Sequence, residues 1–218
     1  MPEPLRRERA RRERWYVLGV RPPPPVTTLL DGPRVLLRAV TTEDVAEVTT
    51  LLRRNKTHLA PWTPLPATDE DPTTLLSVAR AITRQRQQWA EGSHFPFLIV
   101  EKGESPDAGA IIGRISLNAL VRGAFHNTYL GYWIDVNRQG QGLMTEGIRL
   151  ALGFAFGAAG LHRVQAAIMP RNQASLRVVE KVGFRREGFA QRYLQIAGKW
   201  EDHLLFAITQ EEWPPGPP

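Results

Sequence analysis

The sequence predicts a single mixed α/β domain, and three observations carry that prediction. Stretches of strand and helix character follow one another as β-α-α-β-β-β-α-β-α-β-β, which describes a mixed sheet with helices on both faces. The 218 residues are 42% hydrophobic and 23% charged, enough for one sizeable core without covalent staples. There is no cysteine, which excludes a disulfide scaffold, a thiolate metal site and a cysteine nucleophile.

Residues 34–40 are rich in valine and leucine and form the first predicted strand. Thr41 or Thr42 caps a helix that carries Val45, Val48, Leu51 and Leu52 on one side. A proline-punctuated loop, 58–64, holds Trp62. From about Asp71, the residues Leu75, Val78, Ala79, Ile82 and Trp89 recur at helical spacing until Gly92 stops the helix. Residues 95–101 and 110–117 are strands joined by a turn with Gly103, Pro106 and Gly109, and residues 129–136 are a third strand. A glycine turn, 137–145, opens a helix in which only Glu146 and Arg149 interrupt the apolar surface, so that helix is predicted to be buried on most sides. Residues 162–169 form a strand. Residues 172–182 form a short helix ended by Gly183, and residues 188–196 and 199–208 form a hairpin around Ala197 and Gly198.

Charge is unevenly placed. Residues 1–25 hold seven arginines against three glutamates, +4 of the net +6, and end in four prolines, a stiff extended spacer. This basic, arginine- and proline-rich extension can neutralise the phosphates of rRNA or stay solvated. The domain proper is placed at 26–213, with a proline-rich tail at 214–218. No apolar run approaches the roughly 18 residues of a membrane span, and no secretory signal is apparent, so a cytoplasmic location and no membrane contact are expected. The five histidines have no metal-ligand spacing, so no metal is expected.

Chemistry is concentrated in the glycine turn. A turn that opens a helix leaves main-chain N–H groups unpaired and positive in potential, which makes a phosphate cradle, and Gly140 and Gly142 let the backbone approach closely. The turn lacks both the Gly-Lys-Ser/Thr of a Walker loop and the third glycine of a dinucleotide fingerprint, where Thr145 stands. Taken alone it also fits a purely structural turn.

Gln139, Gly140, Gln141, Gly142, Leu143 and Met144 resemble the Gln/Arg-x-x-Gly-x-Gly/Ala motif of the GNAT N-acetyltransferases, departing only at Met144. Asn172 followed by Ser175, Gly183 and Phe184 resembles that family's second marker. Trp62, the stretch 121–126, Tyr129 to Tyr132 and the stretch 198–203 are similar to the RimJ/RimL branch, which acetylates N-terminal amines of ribosomal proteins. The resemblance spans about residues 34–213. It implies a central splayed, mostly antiparallel sheet, with acetyl-CoA between the strands at 129–136 and 162–169. The main chain of Ile134 and Val136 would pair with the pantetheine arm. The amides from Gln139 to Thr145 would take the pyrophosphate, with Arg138 as an extra cation, and Asn172 would face the cofactor.

The implied transfer is direct, with a strand bulge near Gly131 and Tyr132 presenting an N–H to the oxyanion. A tyrosine seven residues after the asparagine is the usual acid in this family, but Val179 occupies that place, so Ser175 becomes the candidate donor to sulfur. His94, His126, Glu91 and Asp135 are candidate bases, His126 first because it lies in the loop leading into the central strand. Trp62 is expected to wall the acceptor peptide and Tyr132 to line the same groove. The acceptor implied is the N-terminal alanine of a small-subunit ribosomal protein. A small amine such as a polyamine or aminoglycoside, or a ribosome-binding role centred on the arginine-rich extension, are the alternatives.

Overall fold

A computed structural model describes residues 22–66, 70–103 and 109–213. The arginine-rich stretch up to Arg21, the middle of the turn after residue 103 and the tail at 214–218 lie outside the described residues. Eight strands form one sheet: β1 (Leu29–Asp31), β2 (Val35–Ala39), β3 (Phe95–Glu101), β4 (Ile111–Val121), β5 (Asn127–Ile134), β6 (Arg163–Ile168), β7 (Arg185–Ile196) and β8 (Lys199–Thr209). Their order is β1-β2-β3-β4-β5-β6-β8-β7. Every pairing is antiparallel except β5 with β6.

Four α-helices cover it: α1 (Val45–Leu59), α2 (Leu75–Glu91), α3 (Leu143–Phe156) and α4 (Gln173–Val182). The alternation of β3 shows how both faces are used. Phe97 and Ile99 join the large core with α3 and α4, while Leu98 joins a smaller one with Leu51, Val78 and Ile82 of α1 and α2. The apolar character of α3 is thereby explained: Ile148, Ala151, Leu152 and Ala155 are completely buried. Trp89, near the end of α2, packs edge-on against Phe95 and Phe97, and its indole N–H donates to the Pro24 carbonyl at 2.8 Å.

Caps end the helices as the sequence predicts. Gly92 and Gly183 adopt left-handed conformations, and Asn172 Oδ1 accepts from the Ser175 N–H at 3.1 Å. The second helix starts later than predicted, at Leu75, because Thr74 rather than Asp71 caps it; Asp71 instead folds back on Thr73.

The sheet is parted at its centre. β5 and β6 pair only from Asn127 to Tyr129 against Arg163 to Gln165, and then diverge. Odd-numbered residues of β5 turn their main chain to β4: the Tyr129 and Gly131 carbonyls accept from Asn118 and Ser116 side chains, and the Asp135 N–H donates to the Ile112 carbonyl. The main-chain groups of Tyr132 and Ile134 therefore face the parting.

Two expectations are corrected. The register of β4 with β5 is unbroken from Gly113↔Ile134 to Asn118↔Tyr129; the irregularity lies beyond, in β4, where Ala119 has φ 47°, so no bulge in that pairing accompanies Gly131 and Tyr132. Val136 lies past the strand, in a 3-10 turn, because the Asp135 side chain accepts from the Asn137 N–H and turns the chain.

Candidate active site

The cradle begins behind the glycine turn. Gly140 (φ 74°) and Gly142 (φ 81°) are left-handed, a conformation that a side chain disfavours. No heavy atom lies within 4 Å of where a Gly140 Cβ would stand, so this stretch of backbone is bare. Gly142 is the N-cap of α3, leaving the amides of Leu143, Met144 and Thr145 in the first turn. Arg34 and Glu146 hold the turn from behind. Glu146 Oε1 accepts from the Arg34 and Val35 N–H groups at 2.7 and 3.0 Å, and Oε2 accepts from Arg34 Nε at 3.0 Å. The Arg34 guanidinium then donates to the Gln141 carbonyl at 2.9 Å. Glu146 is one of the two charged residues that interrupt the otherwise greasy helix surface.

A cavity of about 480 Å³ opens from the cradle into the parting. Gly140, Gly142, Leu143, Met144 and Thr145 line its α3 end, together with Gln139 and Arg138. Tyr132, Trp133 and Ile134 line the strand side, and Asn172 and Ser175 the α4 side. His58, in the last turn of α1, and Trp62, just after that helix, line the far end. Arg177 and Lys181 on α4 add positive charge, although Arg138 is shared with Glu101 at 2.7 Å. Gln139 Nε2 lies 2.8 Å from His58 Nε2, linking cradle and far end.

Tyr132 crosses the cavity to donate its hydroxyl to the Ser175 carbonyl at 3.1 Å, and burial pushes its phenol pKa up. Trp62 is stacked under the Arg171 guanidinium, 5.4 Å from the ring centre, and Arg171 is paired with Glu201 at 2.6 Å. The Ala197 N–H donates to the Thr63 carbonyl at 3.0 Å, which clips the β7–β8 hairpin tip to the Trp62 loop.

The structure thus brings together Trp62, Tyr132, Ile134, Gln139, Gly140, Gly142, Leu143, Met144, Thr145, Asn172 and Ser175. Gln141 turns its side chain toward the Asn137 carbonyl, away from the cavity wall. The Val136 N–H is already donated to Asn55 Oδ1 at 2.9 Å, so it is not free to pair with a ligand. His126 sits at the foot of β5, six residues before Tyr132 and about 20 Å from it at strand rise; it is not brought to the site. Asp135 is buried and paired with Arg54, and Glu91 is bonded by Gln87 on an exposed turn of α2. His94 is held near pKa 4 by burial and by Arg114, which makes it a poor base at neutral pH. No group of three metal-ligating side chains occurs among the described residues.

Bare amides at a helix start, flanking cations and a strand edge opening into a long slot suit a ligand with a diphosphate and an extended arm, as in transferases that take an acyl group from a coenzyme A thioester. A model of the acetyltransferase (GNAT) domain matches residues 34–185, and the chain belongs to that family. It is an acetyl-CoA-dependent N-acetyltransferase of RimJ type. Similar to it is the [ribosomal protein uS5]-alanine N-acetyltransferase of Escherichia coli, 34% identical over 84% of this chain and 91% of the relative. Among solved structures, Mycobacterium smegmatis RimJ in complex with CoA-disulfide is 34% identical (TM-score 0.77; 83% of this chain and 84% of that one). The ribosomal-protein-S5-alanine acetyltransferase from Vibrio fischeri is 30% identical (TM-score 0.77; 86% and 100%).

Proposed function

We propose that this chain acetylates the N-terminal α-amine of a protein, an alanine of a small-subunit ribosomal protein being the acceptor that the relatives' names favour. The observation that carries the reading is the far end of the cavity. It is walled by Trp62, clipped to the β7–β8 hairpin, and carries Arg171 and, among the described residues, no unpaired carboxylate. Such a slot suits an extended chain end and is a poor host for a polycation.

Acetyl-CoA supplies an activated carbonyl and a thiolate leaving group. In this reading the amides at 142–145 hold its diphosphate, assisted by Arg177 and Lys181, and the Tyr132 and Ile134 main chain orients the arm. Tyr132 and Asn172 fix the first turn of α4, which sets Ser175 beside the arm to hand a proton to the departing sulfur. The demand for a base is small. An α-amine with pKa about 7.7–8.0 is roughly one-tenth neutral at pH 7, whereas a lysine near 10.4 is neutral to only about four parts in ten thousand. Water can carry the amine proton away without His126. Contact of the arginine-rich extension with rRNA is a further part of the proposal, carried by its charge alone.

The test is purified protein with acetyl-CoA and peptides that begin with Ala, Ser or Met, beside spermidine and an aminoglycoside, following free thiol. Turnover of the alanine peptide above both small amines is expected. Turnover of a small amine with no peptide acetylated would refute the reading.

A further inference from the structure

The face of the sheet away from α3 carries a second polar arrangement. Strand register puts Arg114, Ser116 and Asn118 of β4 on this face, beside Trp133, Gly131 and Tyr129 of β5, with Gln165 of β6 next to Tyr129. Their neighbours Ile115 and Leu117 point the other way, into the α3 core. This face forms the floor of a trough that starts where β5 and β6 part. Gly131 leaves room for its neighbours, since a Cβ there would stand 3.0 Å from Asn118 Nδ2 and 3.2 Å from Ser116 Oγ. α2 forms one wall. Tyr193 of β7, whose phenol interacts with that of Tyr129, closes the other side.

Arg114 is the anomaly in this trough. Other partly buried arginines either face a carboxylate, as Arg38 does Asp44, Arg138 does Glu101 and Arg163 does Glu187, or donate to a main-chain carbonyl, as Arg86 does to Val40. Arg114 is crowded by protein and still touched by solvent, yet among the described residues its Nη1 and Nη2 meet a neutral group, Gln85 Oε1, at 3.0 and 3.1 Å with the amide oxygen turned inward, and no carboxylate. Desolvation, with the charge of a second cation, Arg84, lowers its pKa to about 10. Beside it, His94 bonds through Nδ1 to Gln88 Oε1 at 3.0 Å, while its buried Nε2 has no partner. A guanidinium held out of water with no counter-charge is costly unless an anion arrives to complete it.

We infer that Arg114 reads an acidic side chain on the acceptor, so that the enzyme selects protein N-termini with Asp or Glu within the first four residues. Arg114 is one register step from the Ser116↔Gly131 pair at the parting, and an extended chain advances about 3.3 Å per residue, which places the carboxylate two or three residues beyond the amine. The planar fork of Arg114 suits a carboxylate, and the polar floor can bond the peptide main chain. The inference rests on the N-terminal reading above.

The test uses full-length enzyme and alanine-initiated peptides with Glu at the second, third or fourth position, each against its Gln analogue. The wild type is expected to favour Glu at one of these positions by about 10- to 100-fold in kcat/KM, an advantage that shrinks as salt is raised. In Arg114→Gln the Glu:Gln ratio should fall to within about twofold, and Arg114→Lys should keep part of it. A ratio is independent of the fraction of active enzyme, so partial misfolding of a variant does not mask the result. Equal turnover of Glu and Gln peptides by the wild type, or a preference surviving in Arg114→Gln, overturns this inference while leaving N-terminal acetylation intact. No turnover of any peptide refutes the N-terminal reading, and this inference with it.

Discussion

Replacement of Gly142 by valine tests the cradle directly. Gly142 has φ 81°, and a side chain there costs about 1–2 kcal/mol in backbone strain. The new Cβ would lie 3.3 Å from Arg34 Nη2, the far end of a half-exposed side chain that can swing aside. The fold should therefore survive, with Tm lowered by about 2–8 °C for a domain of this size. Affinity should suffer more. The valine methyls stand at the start of α3, over amides that a diphosphate would engage, and a hydrogen bond to a charged group is worth about 1.5–3 kcal/mol. One lost bond weakens coenzyme A binding about 10- to 150-fold. Isothermal titration of coenzyme A into both proteins, beside thermal melts, reads the two quantities separately. A variant that melts lower yet binds coenzyme A with unchanged Kd would place the diphosphate elsewhere and undo the site assignment.

Other outcomes follow from individual contacts. Ser175→Ala should lower kcat about 100-fold and leave KM for acetyl-CoA within about threefold, as measured by steady-state kinetics; an unaltered kcat removes Ser175 from the chemistry. Glu146→Ala strands the N–H groups of Arg34 and Val35 and should cost about 2–5 kcal/mol in urea unfolding, with Glu146→Gln less damaging because an amide oxygen can still accept from both. Folding depresses the pKa of His94 from 6.5 to about 4, so between those values the unfolded chain binds the extra proton. Stability from this group is complete above pH 6.5 and lost as pH falls toward 4, and His94→Gln should flatten the urea midpoint across that window. Trp62→Ala should raise the acceptor KM about tenfold with little change in the KM for acetyl-CoA, in the same peptide assay.

The cradle was legible in the sequence because its signal is local: two glycines at fixed spacing between a strand and an apolar helix. Helix ends at Gly92 and Gly183, and the hairpin at Ala197 and Gly198, were legible for the same reason. Strand β1 was missed because three residues carry no alternation. The start of β5 is not legible because Asn127 and Thr128 are polar, although both are completely buried; tertiary context overrides the low strand propensity of Asn127. The β-branched side chain of Val136 suits a strand, but Asp135 turns the chain just before it. His126 lies in a motif-like loop, but strand rise carries it away from the cavity. The brace of Arg34 with Glu146 joins residues 112 apart, and the trough of Arg114, Gly131 and Gln165 exists only through the register of three strands. Pattern along the chain does not encode such juxtapositions.

The bond from the Trp89 indole to the Pro24 carbonyl has a consequence for handling the arginine-rich extension. The proline run is no idle spacer: its third member is moored to a tryptophan only 1% exposed, at the heart of the aromatic cluster. Clipping the chain after residue 25 would strip an interior donor of its acceptor, so a weakened protein would be mistaken for one that had lost its grip on RNA. A deletion that stops at Arg21 keeps the mooring and isolates what the arginines themselves contribute.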